Sequence, residues 1–468
     1  MPYYTSMYPD SQLQTIFITS FHGLVSRVLA CGLLEKLTAD KLRVVLFVPD
    51  FKKDYFVATF GFLPNLVIEG VSRELLPRRT RFFQNLTLVL LDTETMRLTR
   101  RSFRGYHNPF KRFVAQSIAS GLGRFRFVRE SFRFINYLFS ADSAFAPYFA
   151  KYRPALVFST DVKHILDAEL LIAASHRSIR TVAMVRSWDY LTGKGMIRVR
   201  PDWLVVHNNV IRDEAVMYAD MPVNRIFVSG LPHFDPYVNV ERSPREEFFK
   251  KIGGDSGKRL LLYIPWGDKF SDSDGDFLNM ITNAIEKGKL PDDLQILVRL
   301  PPGDSVAFSG LRPRPNLIIE APGKMFGSRS RKANEMTYED LLHLADSIYW
   351  SDIIVSPPST VPIDAAAFDK PVVMMAFDGY KDKGYYGGIR HSFDFCHIKK
   401  LTNTHSTAFT QNEEELVRAI DERLKDPTLD SAGRERLRQE QVYKLDGKSS
   451  ERLADFLRTL LEERVVFI

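Results

Sequence analysis

The stretch from Ser351 to Gly379 constrains the fold of this chain most, because a strand, a turn, a helix and a second strand follow one another within it. The apolar run from Ile353 to Ser356 is short and bounded by turn residues, which favours a buried parallel strand. Pro357 and Pro358 end this strand, and the helix formers after them predict a helix that stops before Pro371. Such a unit predicts an α/β protein with a doubly wound sheet.

The turn that precedes the predicted helix is a candidate phosphate site. It follows the carboxyl end of a parallel strand, where a helix N-terminus presents free amide hydrogens and the positive end of the helix dipole. Ser359 and Thr360 are polar residues of this turn, and Asp364, about one turn into the helix, is positioned to accept hydrogen bonds from ribose hydroxyls. The alternative stays open that the turn binds nothing, because every doubly wound sheet contains such turns.

The segment SDIIVSPPSTVPIDAAAFDKPVV resembles the nucleotide-binding helix of GT-B glycosyltransferases, especially the branch of CDP-glycerol glycerophosphotransferases and non-hydrolysing UDP-N-acetylglucosamine 2-epimerases. In that superfamily the residues before the helix hold the diphosphate, and an acid inside the helix holds the ribose. The resemblance therefore implies donor binding by Ser359, Thr360 and Asp364. It also implies the GT-B fold, in which two Rossmann-like domains face each other. The Pro-Pro-Ser-Thr turn departs from the Ser-Gly-Gly turn of the epimerases.

Length and cysteine usage set the class of protein. A chain of 468 residues exceeds what one core usually serves, so two domains are expected. Cys31 and Cys396 are the only cysteines and have no metal-ligand spacing, which indicates a reducing compartment without disulfides or structural zinc. The first residues do not resemble a signal peptide, and no apolar run approaches the roughly 18–20 residues of a membrane span. We expect a cytoplasmic protein, or one peripheral on the inner face of the membrane.

Alternation of short apolar runs with amphipathic segments predicts two similar halves. In the first half the predicted strands are Thr15 to Thr19, Arg43 to Val48, Asn65 to Val71, Ala155 to Ser159, Thr181 to Val185, Trp203 to Val206 and Arg225 to Val228, with helices from Gly23 through Leu24 and Val25 onward and from Val162 to His176. In the second half the predicted strands are Arg259 to Pro265, Leu294 to Leu300, Asn316 to Glu320 and Ile353 to Ser356, with helices from Asp274 to Glu286 and from Tyr338 to Tyr349. The charged segment from Val238 to Lys258 predicts a linker. We therefore expect an acceptor domain at 1–240, a nucleotide-donor domain at 241–445 and a final helix at 446–468 that packs back on the first domain.

The loop after the first predicted strand carries His22 and Gly23. Ligands of doubly wound sheets bind at the carboxyl ends of the strands, so His22 is a candidate for proton transfer or acceptor binding at this edge. A loop histidine that bonds only to the backbone is the alternative.

Two later loops of the first half reach the same predicted edge. RSWDYLTGKG supplies Arg186, Asp189 and Lys194, and VSGLPHFDPY supplies His233 and Asp235. Both segments resemble loops of the GT-B relatives at the end of the N-terminal domain. The resemblance places these side chains in the cleft, and Asp189 is the second candidate base. The alternative for Gly-Leu-Pro in the second segment is a turn at a domain boundary.

Three residues of the second half are further donor-site candidates. Trp266 and Gly267 follow the first strand of that half, and Arg299 ends the next one, where its charge could neutralise a diphosphate. An exposed salt bridge is the alternative for Arg299. No set of carboxylates stands out as a metal site, and cationic side chains with helix N-termini can stabilise a departing diphosphate, so no metal or cofactor is expected.

The segment 72–153 is an insertion that interleaves arginine with aromatic residues. It contains 16 Lys and Arg against 5 Asp and Glu, a net charge of +11, whereas the whole chain has +7. Three explanations stay open. The segment forms ordinary amphipathic helices with aromatics inward and arginines solvated; it lies on anionic lipid headgroups; or it binds nucleic acid. No nucleic-acid motif accompanies the charge, so nucleic acid is not expected as a partner.

These observations predict a metal-independent GT-B glycosyltransferase of cell-envelope polysaccharide biosynthesis. It would move a sugar from a nucleotide-diphosphate donor, bound as substrate, to a cell-surface glycan or lipid-linked acceptor. His22 and Asp189 are the candidate catalytic bases. The alternatives are a CDP-glycerol-type glycerophosphotransferase, a UDP-sugar 2-epimerase, and a scaffold that binds glycan or lipid without chemistry.

Overall fold

The fold consists of two α/β domains, each built on a parallel sheet. The computed structural model describes residues 13–23, 28–39, 42–102, 105–140, 144–306, 308, 311, 313–327 and 333–463. Leu24 and Val25 of the first predicted helix lie outside these residues. Along the described part of the chain, no helix is both long enough and apolar enough to cross a membrane.

The first sheet contains seven parallel strands among the described residues, in the order β3-β2-β1-β4-β5-β6-β7. The strands are β1 (Gln14–Thr19), β2 (Leu42–Pro49), β3 (Leu66–Val71), β4 (Leu156–Ser159), β5 (Arg180–Met184), β6 (Trp203–Val206) and β7 (Ile226–Val228). Strands are added on both sides of β1, so the order of strand addition reverses between β1 and β4, although all strands remain parallel. This doubly wound order places a crevice at the carboxyl ends of β1 and β4.

The helices of the first half surround this sheet and continue to the start of the second domain. They are α1 (Leu34–Thr38), α2 (Lys53–Phe60), α3 (Arg78–Val89), α4 (Glu94–Arg101), α5 (Pro109–Ile118), α6 (Arg126–Phe139), α7 (Ala146–Tyr152), α8 (Ile165–Ser175), α9 (Tyr190–Gly193), α10 (Asn209–Ala219), α11 (Asp235–Asn239) and α12 (Arg245–Ile252). Helices α3 to α7 form the insertion between β3 and β4. The insertion is therefore helical.

The second sheet contains six parallel strands in the described residues, in the order β10-β9-β8-β13-β14-β15. Its elements are β8 (Arg259–Tyr263), α13 (Asp274–Glu286), β9 (Leu294–Arg299), β10 (Leu317–Glu320), α14 (Tyr338–Trp350), β13 (Ile353–Ser356), α15 (Val361–Ala366), β14 (Val372–Met375), α16 (Gly384–Gly387), α17 (Cys396–Thr402), β15 (Ala408–Thr410), α18 (Glu413–Lys425), α19 (Ser431–Leu437) and α20 (Ser449–Glu462). A small antiparallel pair, β11 (Lys324–Met325) and β12 (Asn334–Glu335), lies outside this sheet. The second crevice is at the carboxyl ends of β8 and β13.

The predicted strands of both sheets are confirmed, each within two residues of its predicted bounds. The predicted linker from Val238 to Lys258 is wrong in one respect, because it contains the helix α12. Phe248 and Phe249 of this helix are buried in the apolar core beside β8. The charges that indicated a linker lie on the outer side of α12, whereas its two phenylalanines anchor it.

The last helix, α20, packs against the first domain. Leu453 and Leu457 are fully buried, and the ring of Phe456 stacks on that of Phe227 at 4.1 Å between centroids. The hydroxyl of Ser450 donates a hydrogen bond to the carbonyl oxygen of Cys31 at 2.7 Å. These contacts connect α20 to β7, an outer strand of the first sheet, and to the segment around Cys31.

Candidate active site

A cleft of about 370 Å³ lies between the two domains, at the carboxyl edges of both sheets. It brings together eight of the residues that the sequence predicted as site residues. From the first domain these are His22, Gly23, Arg186, Asp189, Lys194 and His233, and from the second domain they are Thr360 and Asp364. Parallel strands end at one edge of their sheet, which is why loops far apart in the sequence meet here.

Asp161 organises the first-domain wall of the cleft. It follows β4 and is buried, and its carboxylate accepts hydrogen bonds from the amides of Lys163 and His164, both at 3.1 Å. The same carboxylate accepts a hydrogen bond from the Tyr190 hydroxyl and pairs with the guanidinium of Arg186 at 3.1 Å. Arg186 is therefore held at the cleft by a fixed anion, with its guanidinium over the Tyr190 ring.

His22 lies in the loop after β1, close to Arg186. Burial, together with the nearby positive charge of Arg186, lowers the pKa of His22 to about 3, although Asp161 acts in the opposite direction. The imidazole is therefore neutral at physiological pH and has a nitrogen able to accept a proton. An anionic substrate in the cleft would favour the protonated form and raise this pKa.

Gly23 lies at the contact between the domains. Its carbonyl oxygen accepts a hydrogen bond from the amide of Met336 at 3.1 Å. A Cβ atom at Gly23 would lie 1.9 Å from the carbonyl oxygen of Asn334, so any side chain there would separate the two loops. The absence of a side chain at this position thus allows the second domain to approach the loop of His22.

Asp189 pairs with Lys194 at 3.0 Å and accepts a hydrogen bond from the Ser187 hydroxyl at 2.7 Å. Burial alone would raise the pKa of Asp189, but the charges of Lys194 and His397 outweigh it and hold this pKa well below its ordinary value. The carboxylate is therefore ionised and weakly basic. Its arrangement suits it to fix Lys194, whose ammonium group is about half exposed at the cleft.

The turn between β13 and α15 forms part of the opposite wall. Thr360 is at the start of α15 and lines the cleft, while Ser359 lines a small adjoining cavity. The Ser359 hydroxyl accepts a hydrogen bond from the amide of Val361 at 3.3 Å. Asp364 contacts the first domain, because one carboxylate oxygen is 2.8 Å from Nε2 of His233 and accepts a hydrogen bond from the Tyr237 hydroxyl at 2.8 Å.

Four predicted site residues have other contacts, and none of them is among the described residues that line the cleft. The carboxylate of Asp235 accepts hydrogen bonds from the amides of Ser449 and Ser450 at 2.8 and 2.7 Å, so it stabilises the start of α20. Asp235 follows its strand as predicted, but α20 covers it. The prediction that it faces the cleft is therefore wrong.

The three remaining donor-site candidates are also bonded within the second domain. The guanidinium of Arg299 is buried, pairs with Glu320 and donates to the carbonyl oxygen of Asp340 at 3.0 Å. Its pairing is thus a buried ion pair, not the exposed one considered from the sequence. The amides of Trp266 and Gly267 donate to the carboxylate of Asp274 at 3.3 and 3.1 Å.

Several residues at the cleft were not predicted from the sequence. Asn334 and Pro302 line it, Tyr237 binds Asp364, and Asp161 holds Arg186. Asp161 had a detectable signal, since it directly follows a predicted strand at the same sheet edge as Arg186. Asn334 had none, because its position depends on the contact between the domains. Within the described residues, no group of three or more His, Cys, Asp and Glu is placed to hold a metal ion.

A match to a protein-family model shows which family this chain belongs to. The sequence model of the family described as CDP-Glycerol:Poly(glycerophosphate) glycerophosphotransferase matches residues 196–459, more than half of the chain. The chain belongs to this family. The resemblance stated from the sequence is thereby confirmed, and the family description names a transferase. A search of curated protein sequences found no match.

Solved structures with similar folds support the same architecture. A Staphylococcus aureus MnaA–UDP co-structure is 11% identical, with 96% of this chain and 97% of that chain covered and a TM-score of 0.54. The UDP-GlcNAc 2-epimerase from Neisseria meningitidis bound to UDP-GlcNAc is 9% identical, with coverage of 95% and 99% and a TM-score of 0.54. A variant of the wall teichoic acid polymerase TagF is 13% identical, with coverage of 97% and 90% and a TM-score of 0.53. At these identities the similarity concerns the fold, and it confirms the predicted GT-B architecture of two Rossmann-like domains.

Proposed function

We propose that this protein transfers glycerol phosphate from a cytidine-diphosphate-activated glycerol donor to a hydroxyl group of a glycan or lipid-linked acceptor at the cell envelope. Family membership supports glycerol phosphate as the transferred group. The observation that carries the proposal is the cleft, in which His22, Arg186 and Lys194 face Thr360 and Asp364 of the other domain. The wall from the first domain supplies a base and two cations on the acceptor side. The wall from the second domain supplies the start of a helix and a carboxylate on the donor side.

The proposed reaction is a displacement at phosphorus. An acceptor hydroxyl oxygen forms a bond to the phosphorus that carries glycerol, and the bond from that phosphorus to the bridging oxygen of the diphosphate breaks, which releases CMP. The neutral imidazole of His22 takes the hydroxyl proton once the anionic donor in the cleft has raised the pKa of His22. Negative charge grows on the departing CMP phosphate, and the cations of Arg186 and Lys194 stabilise it inside a partly enclosed cleft.

Two carboxylates of the cleft have supporting roles in this proposal. Asp189 keeps Lys194 in position through its 3.0 Å ion pair. We assign it this role and not that of the base, because a carboxylate with so low a pKa accepts a proton poorly. Asp364 binds the donor ribose, for which the oxygen not engaged in the 2.8 Å contacts with His233 and Tyr237 is the first available acceptor. Donor binding thus occurs where the second domain already contacts the first.

The predicted sugar transfer differs from this reaction in the atom that is attacked. In sugar transfer the acceptor attacks the anomeric carbon and the whole nucleoside diphosphate leaves, whereas here CMP leaves. The family supports the second reaction, so glycosyl transfer becomes an outcome to be tested. The acceptor remains the one predicted from the sequence, a cell-surface glycan or a lipid-linked chain presented at the inner face of the membrane.

The first experiment is a thermal-shift panel with CDP-glycerol, CDP, UDP-N-acetylglucosamine and GDP sugars. A ligand at about 100 times its Kd adds about 2.7 kcal/mol to stability, so binding is visible as a raised melting temperature. We expect CDP-glycerol to stabilise the protein and Asp364→Ala to remove this shift relative to the variant's own baseline. Asp213→Ala is the matched control, because Asp213 is an exposed acid on α10.

Three results would contradict the proposal. A shift with a UDP or GDP sugar and none with CDP-glycerol would favour glycosyl transfer. No shift with any nucleotide would favour the non-catalytic scaffold. A loss of the shift in Asp213→Ala equal to that in Asp364→Ala would show that the acid in α15 does not bind the donor.

A further inference from the structure

The helices α5 and α6 of the insertion expose an apolar surface that we call the aromatic face. Its six most exposed side chains are between 58% and 73% exposed. They are Phe110, Phe113, Phe127, Phe134, Leu138 and Phe139. Leu122 and Phe125, in the connection between the two helices, are exposed as well. So many large apolar side chains on one surface are uncommon in a protein that meets only water.

The orientation of α6 is fixed by ion pairs on its other side. Arg129 and Arg133 point inward, where they bind the carboxylate of Asp220, with a distance of 2.9 Å from Arg129 Nε and 2.8 Å from Arg133 Nη1. Arg133 is 7% exposed, whereas its neighbour Phe134 is 60% exposed. Along this part of α6 the two arginines are therefore turned inward and Phe134 outward, although Phe132 between them is buried.

The spacing of the exposed residues places those of each helix on one side of that helix. On α6, residues 127, 134 and 138 are seven and four positions apart, which places them on one side of a helix. On α5, Phe110, Phe113 and Val114 have the spacing i, i+3, i+4, and all three are exposed. The connection between the helices carries Leu122 and Phe125, which are also exposed, and the Phe125 ring lies 5.7 Å from that of Phe127.

Positive charge borders the aromatic face. Residues 105–140 contain six Lys and Arg residues and one acidic residue, Glu130. Lys111, Arg124 and Arg126 are exposed, and the guanidinium of Arg124 lies 4.6 Å from the ring of Phe125. Aromatic rings enter the boundary between headgroups and acyl chains, and adjacent arginines bind lipid phosphates. We propose that the aromatic face lies in the interface of an anionic phospholipid bilayer.

The insertion is joined directly to the loop that carries Asp189 and Lys194. The Thr93 hydroxyl donates to the carbonyl oxygen of Thr192 at 2.5 Å, and the amide of Met196 donates to the carbonyl oxygen of Thr87 at 3.0 Å. The insertion that carries the aromatic face thus also contacts the acceptor side of the cleft. This consequence rests on the proposed function, whereas the binding of lipid does not.

The test is sedimentation of the full chain with vesicles of phosphatidylcholine that contain about one-third phosphatidylglycerol. We expect binding that weakens as salt rises from about 0.05 to 0.5 M, because the phosphate contacts are screened. The double variant Phe127→Ser with Phe134→Ser should lower the affinity by roughly tenfold for each phenylalanine removed from the interface. Arg124→Glu with Arg126→Glu should lower it by a similar factor and flatten the salt dependence.

Phe62→Ser is the matched control, because Phe62 is also a highly exposed phenylalanine but lies outside the insertion. It should bind vesicles as the unmodified protein does. Equal losses in Phe62→Ser and in the Phe127 and Phe134 double variant would overturn the proposal, as would equal binding to vesicles of phosphatidylcholine alone. Light scattering without lipid should give a monomer. A dimer that the double variant dissociates would assign the aromatic face to a second copy and overturn the proposal.

The result of the vesicle experiment is independent of whether the protein is the proposed transferase. Nucleotide binding needs no vesicle, so the double variant should keep the thermal shift with CDP-glycerol. Vesicle binding without any nucleotide shift in the unmodified protein would contradict the transferase and leave the membrane surface supported. A thermal shift with CDP-glycerol without vesicle binding would contradict the membrane proposal and leave the transferase supported.

Discussion

The buried ion pair between Lys52 and Glu335 gives the sharpest prediction about how the domains are held together. The ammonium group of Lys52, at the carboxyl end of β2, is 2.8 Å from a carboxylate oxygen of Glu335 and 2.8 Å from the carbonyl oxygen of Asn334. The side chains of Lys52 and Glu335 are 0% and 1% exposed. Removal of the lysine charge would therefore leave a carboxylate buried between the domains.

The size of the stability loss in Lys52→Met follows from the burial of this ion pair. Breaking a buried ion pair by removing one partner costs about 3–5 kcal/mol, so Lys52→Met should lower the free energy of unfolding by that amount. Replacing both partners, as in Lys52→Met with Glu335→Leu, removes the buried charge as well. The double variant should lose only about 1 kcal/mol, the value of the hydrogen bond from Lys52 to the carbonyl oxygen of Asn334 that is lost with the ammonium group.

Urea unfolding followed by tryptophan fluorescence measures both variants. The control is Lys53→Met, because the neighbouring Lys53 is 41% exposed and lies 3.8 Å from Glu69, a surface pair worth at most about 1 kcal/mol. A loss below about 1 kcal/mol in Lys52→Met would refute the reasoning. A double variant as unstable as Lys52→Met would refute it too, since the cost would then not come from the unpaired charge.

Three further predictions concern single carboxyl and imidazole groups. Asp235→Ala should lower the free energy of unfolding by about 1–2 kcal/mol because the start of α20 loses its acceptor, and a loss below about 0.3 kcal/mol would contradict this. kcat/KM should show no acid limb from His22 between about pH 5 and 8, because its pKa is lowered to about 3 in the free protein, and an acid limb with its midpoint near pH 6.5 would contradict it. Burial raises the pKa of Asp274 to about 6, so the folded state binds this proton more tightly than the unfolded state and stability falls as pH rises from about 4 to 6. The free energy of unfolding of Asp274→Asn relative to the unmodified protein should accordingly rise by about 2 kcal/mol from pH 4 to 7, and a constant difference would refute the shift.

The strands could be predicted from the sequence because their information is local. Runs such as Ile353–Ser356 and Trp203–Val206 are short, apolar and bounded by turn residues, and the structure has them at the predicted positions. The helix α12 was missed because its two phenylalanines are surrounded by charged residues. Local composition described its outer side and not the buried one.

The sheet topology made one part of the site predictable, namely the residues that follow the carboxyl ends of the strands. His22 and Arg186 each follow a parallel strand, so the edge on which they meet could be inferred before the structure was known. The same rule pointed to Gly267 and Asp235, but other residues of the chain already bind both. Asp274, only seven residues away, accepts the hydrogen bond from the amide of Gly267, whereas Asp235 accepts hydrogen bonds from the distant amides at the start of α20.

The orientation of the aromatic face depended on a partner that the sequence does not identify. Arginine and aromatic residues occur on both sides of α6, so the pattern alone allowed either side to face outward. Asp220, which lies 87 residues from Arg133 in the chain, binds the arginines and thereby fixes which side is buried. Only the tertiary structure could distinguish the two orientations.

The central claim is a transfer of glycerol phosphate in the cleft between the domains, and its most direct measurement is product formation from CDP-glycerol labelled in the glycerol. The purified protein is incubated with this donor, a poly(glycerophosphate) acceptor and anionic vesicles, and CMP release is followed together with label in the polymer. We predict that the two products appear in equal amounts and that His22→Ala abolishes both while the thermal shift with CDP-glycerol remains. Absence of CMP release from a protein that binds CDP-glycerol, or unchanged turnover in His22→Ala, would contradict the account.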